Sequence, residues 1–163
     1  MLSDEDPTIR TASDWLTGSS IPVTLLAPGA APTEGTAYWV MDTLGRPAID
    51  DLVRLSRAAL ILLPVAANAV ELIPLVRMWG DLTGGGADPA QLLAVVTKAP
   101  PVGGVGQGAR DQLRGLNVRV ADSVIRRYAA HERALQDGLL VRDVTGDENA
   151  WADVMALAAE VAG

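Results

Sequence analysis

Three short apolar runs constrain the fold of this chain more than any other feature of its sequence. They cover residues 38–41, 60–63 and 92–97, and within each run the apolar residues follow one another without polar alternation. Such a run predicts a strand that is covered on both faces, which is typical of a parallel sheet. Helical patterns separate the runs. The sequence therefore predicts an α/β fold, a doubly wound and mostly parallel sheet with helices on both faces.

Weaker signals complete the predicted order of elements. Pro64 is expected to end the strand over 60–63, and residues 118–121 alternate in polarity, which predicts a strand near the sheet edge. Pro74 is tolerated in a first helical turn, so the helix around it is expected to start late. The remaining predictions are a short strand within 22–26 and helices through 14–16 (capped by Thr11 or Ser13), over 47–58, about 72–82, 109–116 with Leu113 and Leu116 inward, and 128–137 closed by Gly138.

The last helix has the clearest sequence signature. Thr145 and Glu148 have the spacing of a capping box. After them, an apolar stripe with helical periodicity predicts the face that packs on the core. Its members are Trp151, Val154, Met155 and Ala158.

Composition narrows the class of protein. A chain of 163 residues with 49% hydrophobic residues suits a single globular domain over residues 1–163. No apolar run reaches the roughly 18 residues of a membrane span, and the acidic N-terminus is unlike a signal peptide. The absence of cysteine excludes disulfides and thiolate metal sites, and a single histidine, His131, argues against a histidine metal site. We expect a cytoplasmic protein.

The charge is uneven along the chain. The net charge of −7 argues against a protein that coats DNA generally. From Arg110 to Arg142, however, seven arginines accompany only four acidic residues. This segment predicts a local basic face on an otherwise acidic protein.

Asp42 is the first candidate for a functional residue. It ends the apolar run at 38–41, and Thr43, Gly45 and Pro47 then favour a turn. Ligands of open parallel sheets lie beyond the carboxyl ends of the strands. A carboxylate there suits Mg²⁺ beside a phosphate chain. The structural alternative is an aspartate that only starts the turn.

Five local motifs, taken together, resemble the ParA/MinD group of partition and positioning ATPases. Residues 4–7 with 13–15 resemble its D-x-D-P-Q…S-x-x-D-W segment, and residues 38–45 resemble its Y-D-x-v-i-i-D-T-P-P-G strand and turn. Residues 60–65 resemble l-v-l-i-P-v, and 92–98 resemble the strand before the base-binding loop. Residues 124–127, with Ala134 and Gly138, resemble v-I-p-R…a-x-x-x-G. The matches follow the family's order across nearly the whole chain.

The resemblance implies a P-loop NTPase-like fold and an ATP- and Mg²⁺-dependent role in chromosome partitioning and plasmid segregation. By this resemblance Asp6 orients the catalytic water, Asp42 holds the Mg²⁺, and Lys98 and Pro100 lie beside the adenine. The implied partners are a second copy in a homodimer, a ParB-like protein and non-specific DNA, but no membrane. The implied DNA contacts, which would release counterions at phosphates, are Arg126, Arg127 and Arg133.

The sequence departs from the family at its start. The family's N-terminal strand and its Lys-Gly-Gly-x-Gly-Lys-Ser/Thr phosphate loop have no counterpart here, and the only lysine, Lys98, follows Thr97. That loop holds the phosphates, so we expect no appreciable ATP binding, and hence no cofactor, for the chain as given. The strand before the loop is central in the family, so the edge beside residues 38–42 is expected to lack a partner. An in-frame phosphate loop encoded about 30 residues upstream would indicate a truncated ATPase.

The sequence leaves two further functions open. The first is a degenerate, non-hydrolysing ParA-like module that acts through protein contacts. The second is an unrelated Rossmann-like nucleotide-binding enzyme using the glycine-rich loop at 103–108, although that loop is not in G-x-G-x-x-G register. Structural alternatives stand for the single residues as well: Asp6 as a solvated terminal acid, Lys98 as an ordinary surface lysine, and the arginines as a solvated helix face.

Overall fold

The computed structural model describes residues 1–6, 8–19, 21–43 and 58–162. Almost all of the helix predicted over 47–58 lies outside these residues. The described part forms six strands and five α-helices, and every strand pair in it is parallel. The expected α/β class with parallel pairing is therefore observed. The strands form two three-stranded sheets, however, where one continuous sheet was expected.

The elements alternate along the chain as the sequence predicts. The strands are β1 (Leu2–Asp4), β2 (Leu25–Leu26), β3 (Val40–Asp42), β4 (Ile61–Ala66), β5 (Leu92–Ala99) and β6 (Val120–Arg126). The helices are α1 (Thr11–Thr17), α2 (Ala69–Gly84), α3 (Val105–Gly115), α4 (Ala129–Asp137) and α5 (Glu148–Ala162). None of the helices in the described residues is both long and apolar enough to cross a membrane.

The sheet with strand order β4-β5-β6 carries the hydrophobic core. On one face, Leu72 and Leu75 of α2 and Leu113 of α3 join the buried side chains of the strands. On the other face, Leu157 of α5 packs against a cluster of Leu93, Val95 and Ala121. The central strand β5 is buried from Leu92 to Val96, as its apolar run predicts. This sheet has helices on both faces, and among the described strands β6 ends it, as expected of the weaker strand. The strand covers Val120–Arg126, however, and not the predicted residues 118–121.

Strand β4 differs from its prediction in two respects. It continues to Ala66, so Pro64 lies within the strand and does not end it. Proline lacks an N–H group, but a strand at the edge of a sheet tolerates this loss. The strand is also covered on one face only, because Ile61 and Leu63 are buried whereas Leu62 is 44% exposed.

The other sheet has strand order β2-β1-β3. Strand β3 starts at Val40, later than predicted, and Val40 is 56% exposed, so the expected burial on both faces is wrong. An apolar run is buried only where other layers cover it, and the described residues supply no such cover here. β3 pairs with β1 on one side, and no described strand pairs with its other edge. That one-sided pairing is as expected.

Helix α2 begins before the proline that was expected to delay it. Asn68 caps the helix, since its side chain accepts a hydrogen bond from the N–H of Glu71 at 3.1 Å. Pro74 therefore lies inside the helix. The carbonyl that loses its helical partner belongs to Val70, whose side chain is largely exposed, so water can replace the bond.

Two predicted helix faces need correction. In α5 the buried positions are Ala150 and Asp153, and Met155 of the predicted stripe is 46% exposed. The helix is turned toward Asp153 because that carboxylate binds β6. In α3, Leu113 is buried as predicted, but the helix ends at Gly115 and leaves Leu116 exposed. The C-terminal cap of α4 at Gly138, with φ of 63°, is as predicted.

Candidate acidic site at the ends of β1 and β3

Three carboxylates gather at the carboxyl ends of two neighbouring strands. Asp4 and Asp42 are register partners in the parallel β1–β3 pair. The N–H of Glu5 donates to the carbonyl of Asp42 at 2.8 Å, which extends the pairing by one residue and brings the start of the following loop, with Asp6, to the same edge. This is the edge at which parallel sheets bind ligands.

Asp4 is the buried anchor of this site and is only 2% exposed. Its carboxylate accepts the N–H of Ser13, in the first turn of α1, at 3.0 Å and the N–H of Asp6 at 3.1 Å. The bond from Ser13 is the main reason that the pKa of Asp4 lies below its ordinary value. Asp4 thus satisfies the start of α1, the role that the sequence assigned to Thr11 or Ser13. The residue before that helix is Arg10, and it makes no side-chain cap.

Asp42 has the opposite electrostatic environment. Although Asp42 is exposed as a whole residue, partial desolvation of its carboxyl group raises the pKa above the ordinary value, and the negative charges of Asp4 and Asp6 raise it further. The negative charges of Asp4 and Asp6 act on Asp42 and favour a cation that approaches its carboxylate. The described residues contain no group of three or more side chains placed to hold a metal ion. A cation that bound at Asp42 would need water or phosphate oxygens as its remaining ligands.

Asp6 is half-buried and shapes the loop that follows β1. Its Oδ1 atom accepts the N–H groups of Thr8 at 2.7 Å and Ile9 at 3.0 Å. These bonds fix the carboxylate next to Asp4. A carboxylate held in this way can orient a water molecule at the strand ends.

Lys98 and Pro100 lie at the carboxyl end of β5, in the other sheet. Lys98 is exposed and has φ of 52°, a left-handed conformation that costs energy in any residue with a side chain. The pairing of β5 with β6 shifts register between Val96 and Ala99, so Lys98 lies in a β-bulge. No hydrogen bond or ion pair among the described residues joins Lys98 or Pro100 to the acidic site.

The three candidate DNA-contacting arginines differ in their surroundings. Arg126 donates from Nε and from NH2 to the buried carboxylate of Asp153, with the shortest distance 2.6 Å, and its guanidinium lies 5.3 Å from the ring centroid of Tyr128. Arg127 is 71% exposed and meets Glu132 at 3.2 Å. Arg133 is exposed on α4. Arg127 and Arg133 therefore remain accessible, whereas Arg126 is bound to the protein itself.

Packing accounts for the central glycine of the loop at 103–108. Residues 100–104 connect β5 to α3, and Gly106 lies in the first turn of the helix. A Cβ atom on Gly106 would lie 2.7 Å from Cγ1 of Val124 and 2.9 Å from Cβ of Ala99. Glycine is needed there so that α3 can approach the sheet, which weakens the dinucleotide interpretation.

Comparison with family models finds no match for this chain, and comparison with curated proteins finds none either.

Proposed function

We propose that this chain is a ParA-like domain of a partition protein that acts in plasmid or chromosome segregation and depends on ATP and Mg²⁺ in its complete form. The observation that carries the proposal is the placement of Asp42, beside Asp4 and Asp6 at the carboxyl ends of paired parallel strands. A divalent cation relieves the repulsion that Asp4 and Asp6 exert on Asp42, and a magnesium-bound nucleotide brings one to this position.

The partner-free edge of β3 supports the same proposal. In the ParA-like arrangement, the strand that leads into the phosphate loop lies beside the strand of the metal-linked aspartate. In this proposal β3 corresponds to the strand of the metal-linked aspartate, and among the described residues it is paired on one side only. An additional strand at this edge would bring its phosphate loop next to Asp42.

Each candidate residue has a role in this proposal. Asp42 orders the Mg²⁺ ion and Asp6 orients the attacking water. Lys98 and Pro100 border the adenine in the nucleotide-bound homodimer. Arg127 and Arg133 contact DNA phosphates without reading sequence, and a ParB-like protein stimulates hydrolysis and release.

A fusion experiment tests the proposal. The chain alone is titrated with ATP–Mg²⁺ in a calorimeter, beside a fusion that places a ParA-family strand, phosphate loop and helix before Met1. We expect no binding by the chain alone, because no lysine and glycine loop holds the phosphates, and micromolar binding by the fusion. Asp42→Asn in the fusion should reduce the dependence of binding on Mg²⁺, and Asp14→Asn, a change in an exposed acid of α1, should not.

Two results would contradict the proposal. One is micromolar ATP binding by the unfused chain, which would require another phosphate site. The other is a folded fusion that binds no nucleotide. The second result favours the degenerate interaction module, for which the exposed apolar side chains of Val40 on β3 and of Tyr38, two residues before that strand, would supply contact area.

A further inference from the structure

The loop between β1 and α1 contains an arginine in an unfavourable backbone conformation. Arg10 has φ of 45° and ψ of 33°, which lies in the left-handed region. This region strains residues that have a Cβ atom, and among them mainly asparagine and aspartate adopt it. Of the other two such residues in the described chain, Asn117 is of a type that tolerates the conformation, whereas Lys98 is not. Strain of this kind persists where the surrounding contacts hold it, and it is concentrated at functional sites.

The contacts that hold Arg10 are made by its backbone. Its carbonyl accepts hydrogen bonds from the N–H of Asp14 and from the hydroxyl of Ser13, each at 3.0 Å. The N–H of Ser13 donates in turn to the buried carboxylate of Asp4. The backbone of Arg10 is therefore linked, through the first turn of α1, to the end of β1 that carries the acidic site.

The side chain of Arg10 contributes nothing to the start of the helix. The position before a helix favours serine, threonine, aspartate or asparagine, because their side chains accept a hydrogen bond from a backbone N–H. A guanidinium has donors only, and Arg10 makes no side-chain cap. The arginine thus breaks two local preferences at once, one for the backbone conformation and one for the cap. Departures of this kind are expected at functional positions.

The guanidinium of Arg10 is accessible and close to the acidic site. The residue is exposed, and among the described residues its side chain forms neither an ion pair nor a hydrogen bond. The hydrogen bond from Ser13 is the main cause of the lowered pKa of Asp4, and the charge of Arg10 is a minor cause, which places the guanidinium near that carboxylate. A cation that lies near carboxylates but pairs with none of them remains available to an anion.

We propose that Arg10 binds the terminal phosphate of the magnesium-bound nucleoside triphosphate at the acidic site. Loops that follow the carboxyl ends of parallel strands contact the ligand, and Arg10 lies on such a loop together with Asp6. Asp6 is the residue proposed to orient the attacking water, so the phosphate next to this loop is the one that the water attacks. A guanidinium can bind two phosphate oxygens at once. The inference rests on the proposed function and adds to it a residue to which the family motifs assign no role.

Replacement of Arg10 in the fusion with a phosphate loop tests this contact. The unsubstituted fusion, Arg10→Ala and Arg10→Gly are each titrated with ATP–Mg²⁺ and with ADP–Mg²⁺. We expect both substitutions to weaken ATP binding about tenfold or more, because a charge-assisted hydrogen bond is lost, and to change ADP binding by less than about threefold. The matched control is Arg77→Ala, which removes an exposed arginine of α2 and should leave both affinities unchanged.

Thermal melting in the absence of nucleotide supplies a readout that is independent of binding. Glycine adopts the left-handed conformation freely, whereas alanine keeps the strain, so Arg10→Gly should melt at a higher temperature than Arg10→Ala. The two variants therefore differ in stability but share the loss of ATP affinity. This combination is expected only if the guanidinium, and not the backbone of the loop, contacts the phosphate.

The proposal is overturned if Arg10→Gly binds ATP as tightly as the unsubstituted fusion, because the guanidinium is then not needed. Equal weakening of ATP and ADP binding also overturns it, since the lost contact would lie on a part common to both nucleotides. A loss of DNA binding in fluorescence anisotropy without a loss of ATP binding would assign Arg10 to DNA phosphates instead. If the unsubstituted fusion binds no nucleotide, the proposed function fails and this inference fails with it, whereas unchanged affinities in the Arg10 variants leave the proposed function intact.

Discussion

At the residue scale, the three aspartates of the acidic site have different tasks although they lie close together. Asp4 is buried and receives two backbone N–H groups, so its charge stabilises the fold. Asp6 shapes a loop with one oxygen. Asp42 receives little compensation, and the pKa of its carboxyl group is raised. A charge that the protein leaves poorly compensated is the one that gains most from a ligand.

This difference gives Asp42 a testable pH dependence. Because its folded pKa is raised, ionised Asp42 lowers the free energy of unfolding at neutral pH, and the cost disappears as pH falls below the pKa of the unfolded chain. Asp42→Asn should therefore raise the thermal midpoint at pH 7 and leave it unchanged near pH 3. Thermal melts across this pH range measure the effect. A stabilisation of equal size at both pH values would exclude the electrostatic cause.

The backbone of Lys98 supports a second prediction at this scale. Its left-handed conformation strains any residue that has a Cβ atom, whereas glycine adopts it freely. Lys98→Gly should therefore raise the free energy of unfolding by about 1 kcal/mol. Lys98→Ala keeps the conformational cost and serves as the control. Urea denaturation compares the two variants. If alanine stabilises as much as glycine, the lysine side chain and not the backbone is the source of strain.

At the scale of elements, helix α3 approaches the sheet through Gly106, and this contact can be tested. A methyl group there would overlap Val124 and Ala99, so Gly106→Ala should destabilise the fold by about 1–3 kcal/mol. Gly108 lies in the same helix with nothing within 4 Å of its Cβ position. Gly108→Ala should therefore stabilise by up to about 1 kcal/mol. Similar effects of the two substitutions would refute the packing argument.

Local sequence was enough to predict some elements of this fold but not others. β5 and the cap at Gly138 were predicted correctly, because an unbroken apolar run and a glycine at a helix end are local signals. The position of Asp42 at a strand end was also predicted. The anchoring role of Asp4 was not predicted, because it depends on a hydrogen bond from Ser13, which lies in a separate element. The buried face of α5 was missed for the same reason, since the bond from Asp153 to Arg126 outweighs the apolar periodicity of the helix.

At the scale of the whole molecule, the three arginines predicted to contact DNA differ in accessibility. Arg127 and Arg133 are exposed, while Arg126 is held by Asp153. Non-specific DNA binding, if it uses this surface, therefore depends on the first two arginines. Binding through these arginines is expected to be weak and sequence-independent and to decrease with added salt.

Substitution of these arginines tests that expectation. Arg127→Ala with Arg133→Ala should weaken binding equally for unrelated DNA sequences in fluorescence anisotropy at low salt. Arg126→Ala should instead lower the thermal midpoint, because it leaves the buried Asp153 without its partner. If the unsubstituted chain does not bind DNA even at low salt, the proposal that it binds DNA is wrong.

The position of the hydrophobic core has a consequence for the order of folding. The residues of both core clusters in the described chain all lie between Ala58 and Val161. The sheet β2-β1-β3 depends more on polar contacts, such as the bond from Trp39 Nε1 to the Ser3 hydroxyl at 3.1 Å. Refolding should therefore begin at β4-β5-β6, and a pulse of hydrogen exchange early in the reaction should find the amides of β5 protected before those of β1. Early in refolding from denaturant, the sheet β4-β5-β6 would therefore be formed while the carboxylates at the ends of β1 and β3 were still surrounded by water.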